Sequence, residues 1–209
     1  MKLLITPIIL LMVFVTKPVL AQPTQEYDIL KGSTLVSMVG TTNIYEVDFN
    51  GTKYDFIVSV TENHSEKGIG FDYQMTNANK TAGTVFMSVE ARKNAHMQNN
   101  YFSGGEMDLT DMTTVWISDE VYDELEKKGE SKISTYGGET WIVLKRKYYN
   151  YDFPILTKAG MKAEFGYMYC ETDDGSAKYW IQTGGNPIIL KMDLGWSITY
   201  KQFKMVGEE

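Results

Sequence analysis

The side chains best suited to catalysis or metal binding are few in this chain of 209 residues. There is one cysteine, Cys170, and there are two histidines, His64 and His96. A nucleophilic thiol needs a histidine to activate it, and a structural zinc site uses about four cysteine and histidine ligands. We therefore interpret Cys170 as a buried or half-buried structural thiol. We predict no catalytic residue, no metal site and no cofactor.

Acidic side chains are plentiful, but their local settings indicate structural roles. The triplet Ser118-Asp119-Glu120 precedes an amphipathic stretch, where the serine hydroxyl can cap a helix and the two acids can face its positive end. Asp173 and Asp174 lie in "TDDGS", which lacks the ligand spacing of a calcium loop and is typical of a turn. A hydrolase with two carboxylates stays open as an alternative, because such a pair is adjacent only in space.

The sequence also lacks the local motifs of several enzyme classes. There is no G-x-S-x-G elbow, no phosphate-binding glycine loop and no dinucleotide-binding glycine pattern. The formal net charge of −7 repels the phosphates of nucleic acids, and the basic run "LKRK" (144–147) is short. We therefore expect no nucleic-acid partner and interpret that run as a solvated strand end.

The first 21 residues have the pattern of a secretory signal peptide. Lys2 precedes an apolar run over residues 3–15, and Val19 and Ala21 occupy the positions that a signal peptidase recognises. We expect cleavage after Ala21, a single β domain over residues 22–209, and no transmembrane span after signal removal. The expected location is exported, either periplasmic or extracellular at the cell surface.

Aromatic and methionine side chains are the main positive signal, with 14 Tyr, 4 Trp, 9 Phe and 12 Met. The run "KYYNYDF" (147–153) alone contains four aromatic residues. Such residues either fill a core that has no disulfides or line an apolar groove or interface. For the second case, we predict a ligand site formed by in-phase strand residues, namely Tyr73, Met75, Met87, Tyr167, Tyr169, Tyr179 and Trp196.

Apolar residues after position 25 recur with a period of two, which predicts strand after strand. Residues 43–60 contain Asn50-Gly51, the dipeptide that best accepts a two-residue hairpin turn, and this turn pairs Tyr45 with Phe56. The segments "KGIGFDYQMTN" and "TVFMSVEA" predict a second hairpin. Residues 91–114 show no clear pattern, apart from a short strand at "EMDL".

The second half of the chain predicts one helix and further strands. The helix covers residues 118–128, between the Ser118 cap and Gly129. A five-residue loop from Thr172 to Ser176 would pair Tyr169 with Tyr179. The whole pattern predicts a mainly β fold, a single curved antiparallel sheet or half-barrel of about ten strands with this helix on or in it.

The stretch from Ile188 to Tyr200 has apolar residues at every second position and fits two arrangements. It forms either one long strand or a hairpin, and the hairpin is favoured because a straight strand of this length is unusual in a small domain. A three-residue loop over 193–195, with Gly195 in the left-handed conformation, would pair Met192 with Trp196.

Three segments carry a resemblance to known proteins. "GFDYQMTNANKTAGTVFMS", "DLTDMTTVWISDEVYDEL" and "YWIQTGGNPIILKMDLGWSITYKQF" resemble uncharacterised secreted β proteins of Gram-negative bacteria. The expected architecture is also remotely similar to the periplasmic lipoprotein-carrier half-barrels. The first resemblance implies no known activity, and the second rests on architecture alone and carries over no residue.

Two functions from different classes follow as hypotheses. The first is an exported, non-catalytic binding protein for a lipid-like or other hydrophobic group. The alternative is an envelope interaction or structural protein that acts through an exposed aromatic patch or a strand edge. The expected partner is accordingly a lipid or hydrophobic small molecule, or an envelope protein.

Overall fold

The computed structural model describes residues 37–157, 162–184 and 187–205. The predicted signal peptide lies outside these residues. Two helices are described, α1 (Val89–Asn94) and α2 (Asp119–Lys127). In the described ranges no helix has both the length and the apolar character that crossing a membrane requires.

The fold is mainly β, as predicted, and forms one curved, nearly closed, barrel-like sheet. The described residues contain thirteen strands, more than the ten or so that the sequence predicts. They are β1 (Thr42–Phe49), β2 (Thr52–His64), β3 (Gly68–Met75), β4 (Ala82–Ser88), β5 (Met97–Gln98), β6 (Gly105–Leu109), β7 (Met112–Thr113), β8 (Glu130–Ser134), β9 (Trp141–Thr157), β10 (Lys162–Glu171), β11 (Lys178–Gln182), β12 (Ile189–Asp193) and β13 (Ser197–Lys204).

The chain itself brings the two ends of this sheet together. The strand order is β6-β4-β3-β2-β1-β13-β12-β11-β10-β9-β8-β5-β7, and most neighbours are antiparallel. The two end strands, β6 and β7, are consecutive in the sequence and separated only by Thr110 and Asp111. Strand β9 also pairs in parallel with β13. The sheet therefore curls around its own apolar face.

The first predicted hairpin is confirmed in its register. Tyr45 lies opposite Phe56, as expected from the Asn50-Gly51 turn. Both turn residues have positive φ angles, 52° and 78°, which the short polar side chain of asparagine and the absent side chain of glycine tolerate. Local turn chemistry and the alternation of apolar residues favour the same pairing here.

The second hairpin, β3 with β4, is also confirmed, but its second strand ends earlier than predicted. The sequence pattern extends the strand through Val89, whereas helix α1 begins there. The hydroxyl of Ser88 accepts a hydrogen bond from the amide of Ala91 at 3.1 Å and caps the helix. The expected strand at "EMDL" is part of β6, which pairs in parallel with β4.

The register between β10 and β11 differs from the prediction by one residue. Tyr169 lies opposite Trp180, and Cys170 lies opposite Tyr179. The loop has six residues rather than five, because Thr172 bonds to Ala177 through both its backbone and its hydroxyl. A slip of one residue moves the side chains of a strand to the other face of the sheet. Tyr179 therefore does not share a face with Tyr169.

The last stretch is a hairpin, as favoured, but its register was wrong. Strands β12 and β13 flank residues 194–196, and Met192 lies opposite Ile198 rather than Trp196. Gly195 has a φ of 85°, as the tight loop requires. A bulge at Leu190 shifts the pairing with β11 and interrupts the alternation of faces. The apolar residues of this stretch therefore do not form one continuous face.

Buried apolar side chains form two clusters. The large cluster contains the inward residues of β1–β4 and β6, α1, Val115 and Trp116, and the residues Phe153, Ile155, Phe165, Tyr167, Ile188, Leu190, Tyr200 and Phe203. The small cluster lies beside α2 and contains Ile117, Val121, Leu125, Ile133, Leu144, Met168, Cys170, Ala177, Tyr179, Ile181, Ile189 and Met192.

Helix α2 is confirmed within one residue of its predicted bounds, and its cap gives a prediction. The buried Ser118 hydroxyl accepts a hydrogen bond from the amide of Val121 at 3.2 Å.

We expect Ser118→Ala to lower the free energy of unfolding by about 1 kcal/mol, because the Val121 amide loses its acceptor. Urea unfolding of the variant, with the exposed Ser65→Ala as control, measures the effect. Equal effects of the two substitutions would contradict a capping role.

The "TDDGS" segment is a turn, as predicted, and one of its carboxylates organises it. An oxygen of Asp174 accepts bonds from the Thr172 hydroxyl (2.6 Å), the Ser176 amide (3.0 Å) and the Ser176 hydroxyl (2.7 Å). These bonds lower the pKa of Asp174 to about 2.

This lowered pKa predicts a pH dependence of stability. A carboxyl group with a lowered pKa in the folded state stabilises the fold above its unfolded pKa of about 4, and this contribution is lost towards pH 2. We expect wild type to be more stable than Asp174→Asn at pH 6, and the difference in melting temperature to shrink as the pH falls to 2.5. A difference that is constant across this range would contradict the prediction.

Candidate functional site

An open cleft of about 700 Å³ is the best candidate for a binding site in the described residues. It lies where the tip of the β1–β2 hairpin meets the segments around residues 99–102, 136–139 and 196. Its lining is aromatic and apolar with amide groups and one carboxylate at the rim. The residues that line it are Phe49, Tyr54, Met75, Asn77, Asn99, Asn100, Tyr101, Phe102, Met112, Tyr136, Gly137, Glu139 and Trp196.

A small recess of about 50 Å³ adjoins the cleft. The two share five lining residues, namely Tyr54, Met75, Asn100, Phe102 and Trp196. The rest of the recess is formed mainly by core residues such as Tyr45, Val47 and Ile198. Since benzene occupies an apolar cavity of about 150 Å³ in another protein, this recess accepts only a short apolar group.

The walls of the cleft are held by long-range contacts rather than by one local motif. The Asn100 amide donates a hydrogen bond to the carbonyl of Thr135 at 2.8 Å. The ring of Phe102 packs against Phe56 and Tyr73, with centroids 4.7 Å and 4.9 Å apart. These contacts fix the irregular segment between β5 and β6 against the sheet.

Trp196 forms the opposite wall, at the end of the tight loop before β13. Its indole N–H donates to the hydroxyl of Tyr136 at 3.3 Å. It packs against both apolar clusters and lines both the cleft and the recess. The position of Gly195 in the left-handed conformation lets the chain turn sharply enough to present this side chain.

Tyr45, one of the residues that line the recess, has a buried hydroxyl without a partner among the described residues. The residue is 1 % exposed. Burial raises the pKa of this hydroxyl, which keeps it neutral and able to donate or accept. A buried polar group without a partner costs about 1–3 kcal/mol, so a ligand atom that reached this hydroxyl would gain a hydrogen bond from it.

Backbone strain occurs at the same place. Val115 lines the recess and has a φ of 64°, an outlier for a β-branched residue. Its carbonyl accepts a short bond from the amide of Ile189 at 2.7 Å, which helps to hold the conformation. Such strain is concentrated at binding and active sites in folded proteins.

The structure divides the seven predicted ligand residues among several places. Met75 and Trp196 line the cleft. Tyr73 does not line the cleft but packs against Phe102, which does. Its hydroxyl accepts a hydrogen bond from the amide of Gly104 at 2.9 Å. Met87 is fully buried in the large cluster, and Tyr179 is buried in the small cluster, where its hydroxyl donates to Gln98.

Of the other two, Tyr167 is buried in the large cluster, and Tyr169 lies away from the cleft in an aromatic row that crosses β9–β11. Tyr169 packs between Tyr148 and Trp180, with ring centroids 5.0 Å and 4.9 Å apart. The ammonium group of Lys191 lies 4.8 Å from the Trp180 ring. These rings contact one another and form a partly exposed surface rather than a pocket.

Sequence reasoning missed several residues of the cleft, among them Tyr54, Asn100, Phe102 and Tyr136. Tyr54 belongs to the predicted first hairpin, but its position at a cleft depends on segments far away in the chain. Asn100 and Phe102 lie in the stretch that shows no period. The only local signal there is the run of aromatic and amide side chains "NNYF" (99–102).

The remaining candidate groups have structural or isolated positions. Cys170 is buried, as expected, and burial raises its pKa to about 12, so the thiolate is strongly disfavoured. A two-carboxylate hydrolase needs facing acids, and Glu139 is the one carboxylate among the described residues that line the cleft. In comparisons with known proteins, no family model, no curated protein and no solved structure matches this chain.

Proposed function

We propose that this protein is an exported, non-catalytic binding protein that holds the hydrophobic group of a larger ligand. The observation that carries the proposal is the aromatic cleft with a recess beside it. Ligand sites in proteins are typically clefts of about 300–1,000 Å³ with a mostly apolar lining and a few polar groups, and this cleft fits that description.

The dimensions and polarity of the site favour an amphiphilic ligand. The recess is too small for a long acyl chain, so only a short apolar group would enter it. The neutral hydroxyl of Tyr45 would pair with a polar atom near that group. The amides of Asn77 and Asn99 and the carboxylate of Glu139 at the rim would face the polar part of the ligand.

Native mass spectrometry tests this proposal most directly. The mature protein is purified from its own cells without detergent and compared before and after extraction with organic solvent. We expect a bound amphiphile that extraction removes. In parallel, titration with 1-N-phenylnaphthylamine should give saturable fluorescence with one site. A protein without bound ligand that also fails to bind the dye saturably would contradict the proposal.

Export is the part of the proposal that rests on the first 21 residues and on the resemblance to secreted proteins of Gram-negative bacteria. Its test is the intact mass of the protein isolated from the periplasm or the medium. The expected mass corresponds to a chain that begins at Gln22. Retention of the full chain in the cytoplasm would contradict it.

A second candidate function is an interaction with an envelope protein along β9. This long strand pairs with β10 along one edge. On its other edge, β8 and Gly129 pair with residues 141–146, and the pairing with β13 begins at Leu156. Tyr151 lies between these points and is 71 % exposed. Exposed strand edges offer backbone groups to a partner strand, here in competition with the Asn150 side chain, which accepts a bond from the Tyr151 amide at 2.8 Å.

A photoactivatable cross-linker at position 151 tests this candidate in cells. We expect one discrete partner to be captured there and not from Asp72, an exposed position on β3. Equal cross-linking at both positions, or no cross-linking at either, would count against a binding site for an envelope protein at the edge of β9.

A further inference from the structure

A second group of side chains with coordinating ability lies outside the cleft, where His96 meets helix α2. Ligand atoms of His96, Glu120 and Glu124 all lie within 4.8 Å of one another. The Nε2 atom of His96 is 3.8 Å from a carboxylate oxygen of Glu120. We propose that these three residues bind one divalent transition-metal ion of the zinc class.

The fold positions each of these ligands. Glu120 and Glu124 are four residues apart on α2, so their carboxylates share one face of the helix. His96 comes from the short link between α1 and β5, which is packed beside that face. The site therefore joins two elements that are more than twenty residues apart in the sequence.

The orientation of the imidazole supports metal binding. Its Nδ1 atom lies 2.8 Å from the carbonyl oxygen of Lys132. Because a carbonyl only accepts, Nδ1 must carry the proton of the neutral ring, which leaves the lone pair of Nε2 facing the carboxylates. A lone pair on the imidazole nitrogen and one on a carboxylate oxygen repel when they face each other. A cation bound between them removes this repulsion. A backbone carbonyl on the other nitrogen is the usual support of a metal-binding histidine.

The carboxylate of Glu124 is also held from outside the three ligands. The hydroxyl of Ser131 donates to one of its oxygens at 2.7 Å. Lys128 contacts the other oxygen at 2.8 Å, but its side chain is largely exposed and can turn into solvent when a metal ion takes its place. Glu120 is half-exposed and free to rotate towards the other two ligands.

One imidazole nitrogen and two carboxylates select the class of ion. Calcium and magnesium prefer oxygen ligands alone, whereas zinc, nickel, cobalt and copper accept nitrogen with oxygen. Zinc-to-ligand distances of about 2.0–2.2 Å require the three ligand atoms to approach to about 3–3.5 Å of one another. Glu120 is half-exposed, whereas His96 and Glu124 are partly buried, so Glu120 makes most of this movement. The sequence-based prediction of no metal site considered cysteine and histidine ligands and assigned Glu120 to the helix dipole.

Isothermal titration of the untagged mature protein with zinc chloride tests the inference. We expect one saturable site, and affinity at least about ten-fold lower in His96→Gln and in Glu120→Gln. At a zinc concentration of 100 times the Kd, the melting temperature of wild type should rise by about 5–10 °C. Circular dichroism of each variant verifies that it is folded.

The chain contains a matched control for the histidine. His64 also lies near a carboxylate, with Nε2 3.6 Å from Glu62, but only His96 belongs to a group of three coordinating residues among those described. His64→Gln should therefore leave zinc affinity unchanged. The inference is overturned if zinc does not saturate below about 1 mM, if His64→Gln weakens binding as much as His96→Gln, or if calcium binds as tightly as zinc.

Discussion

Replacing Trp116 with alanine is expected to lower the free energy of unfolding by about 3–5 kcal/mol. Trp116 is 2 % exposed and belongs to the large cluster, where its ring centroid lies 5.6 Å from that of Phe71. Its indole N–H donates to the hydroxyl of Ser37 at 3.2 Å, and its backbone bridges to Ile188. The substitution removes a large buried surface, leaves a cavity and frees that hydroxyl.

Urea unfolding followed by circular dichroism measures this loss. Trp141→Ala is the matched control, because Trp141 is 45 % exposed on β9, where the ammonium of Lys132 lies 5.3 Å from its ring. We expect the control to lose about 1 kcal/mol or less. If Trp116→Ala does not fold, Trp116→Phe should show an intermediate loss. Similar stabilities of the Trp116 and Trp141 variants would show that the large cluster does not support the fold as described.

Replacing Trp196 with alanine is expected to weaken dye binding at the cleft by about 30-fold, or about 2 kcal/mol. Trp196 contributes to both the cleft and the recess, and its N–H fixes Tyr136 at the rim. Large aromatic side chains in the walls of a site carry much of the binding free energy, since they bury the most apolar area. Fluorescence titration with 1-N-phenylnaphthylamine measures the change.

Trp180→Ala is the control for Trp196→Ala. It shows whether removing any partly buried tryptophan weakens dye binding, or only removing the one that lines the cleft. Trp180 is also partly buried and also packs against the large cluster, but it lies in the aromatic row beside Tyr169 and lines neither the cleft nor the recess. We expect its dye affinity to stay within about three-fold of wild type. Equal losses for the two variants would place dye binding outside the cleft and would count against the proposed function.

Local sequence signals were sufficient where one short motif determines the geometry. The β1–β2 register follows from Asn50-Gly51, and the helix after Ser118 follows from its cap and its charge pattern. Both structures depend on atoms only a few residues apart. The alternation of apolar residues likewise predicted a curved β fold, since a sheet with one apolar face must cover it.

Prediction from sequence was wrong where the bonding within a loop or a bulge in a strand changes the register. The β10–β11 slip depends on the bonds between Thr172 and Ala177, and the broken face of the last hairpin depends on the bulge at Leu190. Strict alternation takes no account of either feature. One residue of displacement was enough to move Tyr179 from the predicted ligand site into the small cluster.

The mainly β class, the first hairpin and the capped helix could be predicted from the sequence alone. Contacts between distant segments determine which aromatic residues are buried, which line the cleft, and which carboxylates lie beside His96. The physical reason is that secondary structure responds to neighbours within a few residues, whereas a site needs segments brought together across the chain. Asn100, Tyr136 and Trp196 meet only because the curved sheet brings their segments to the same cleft.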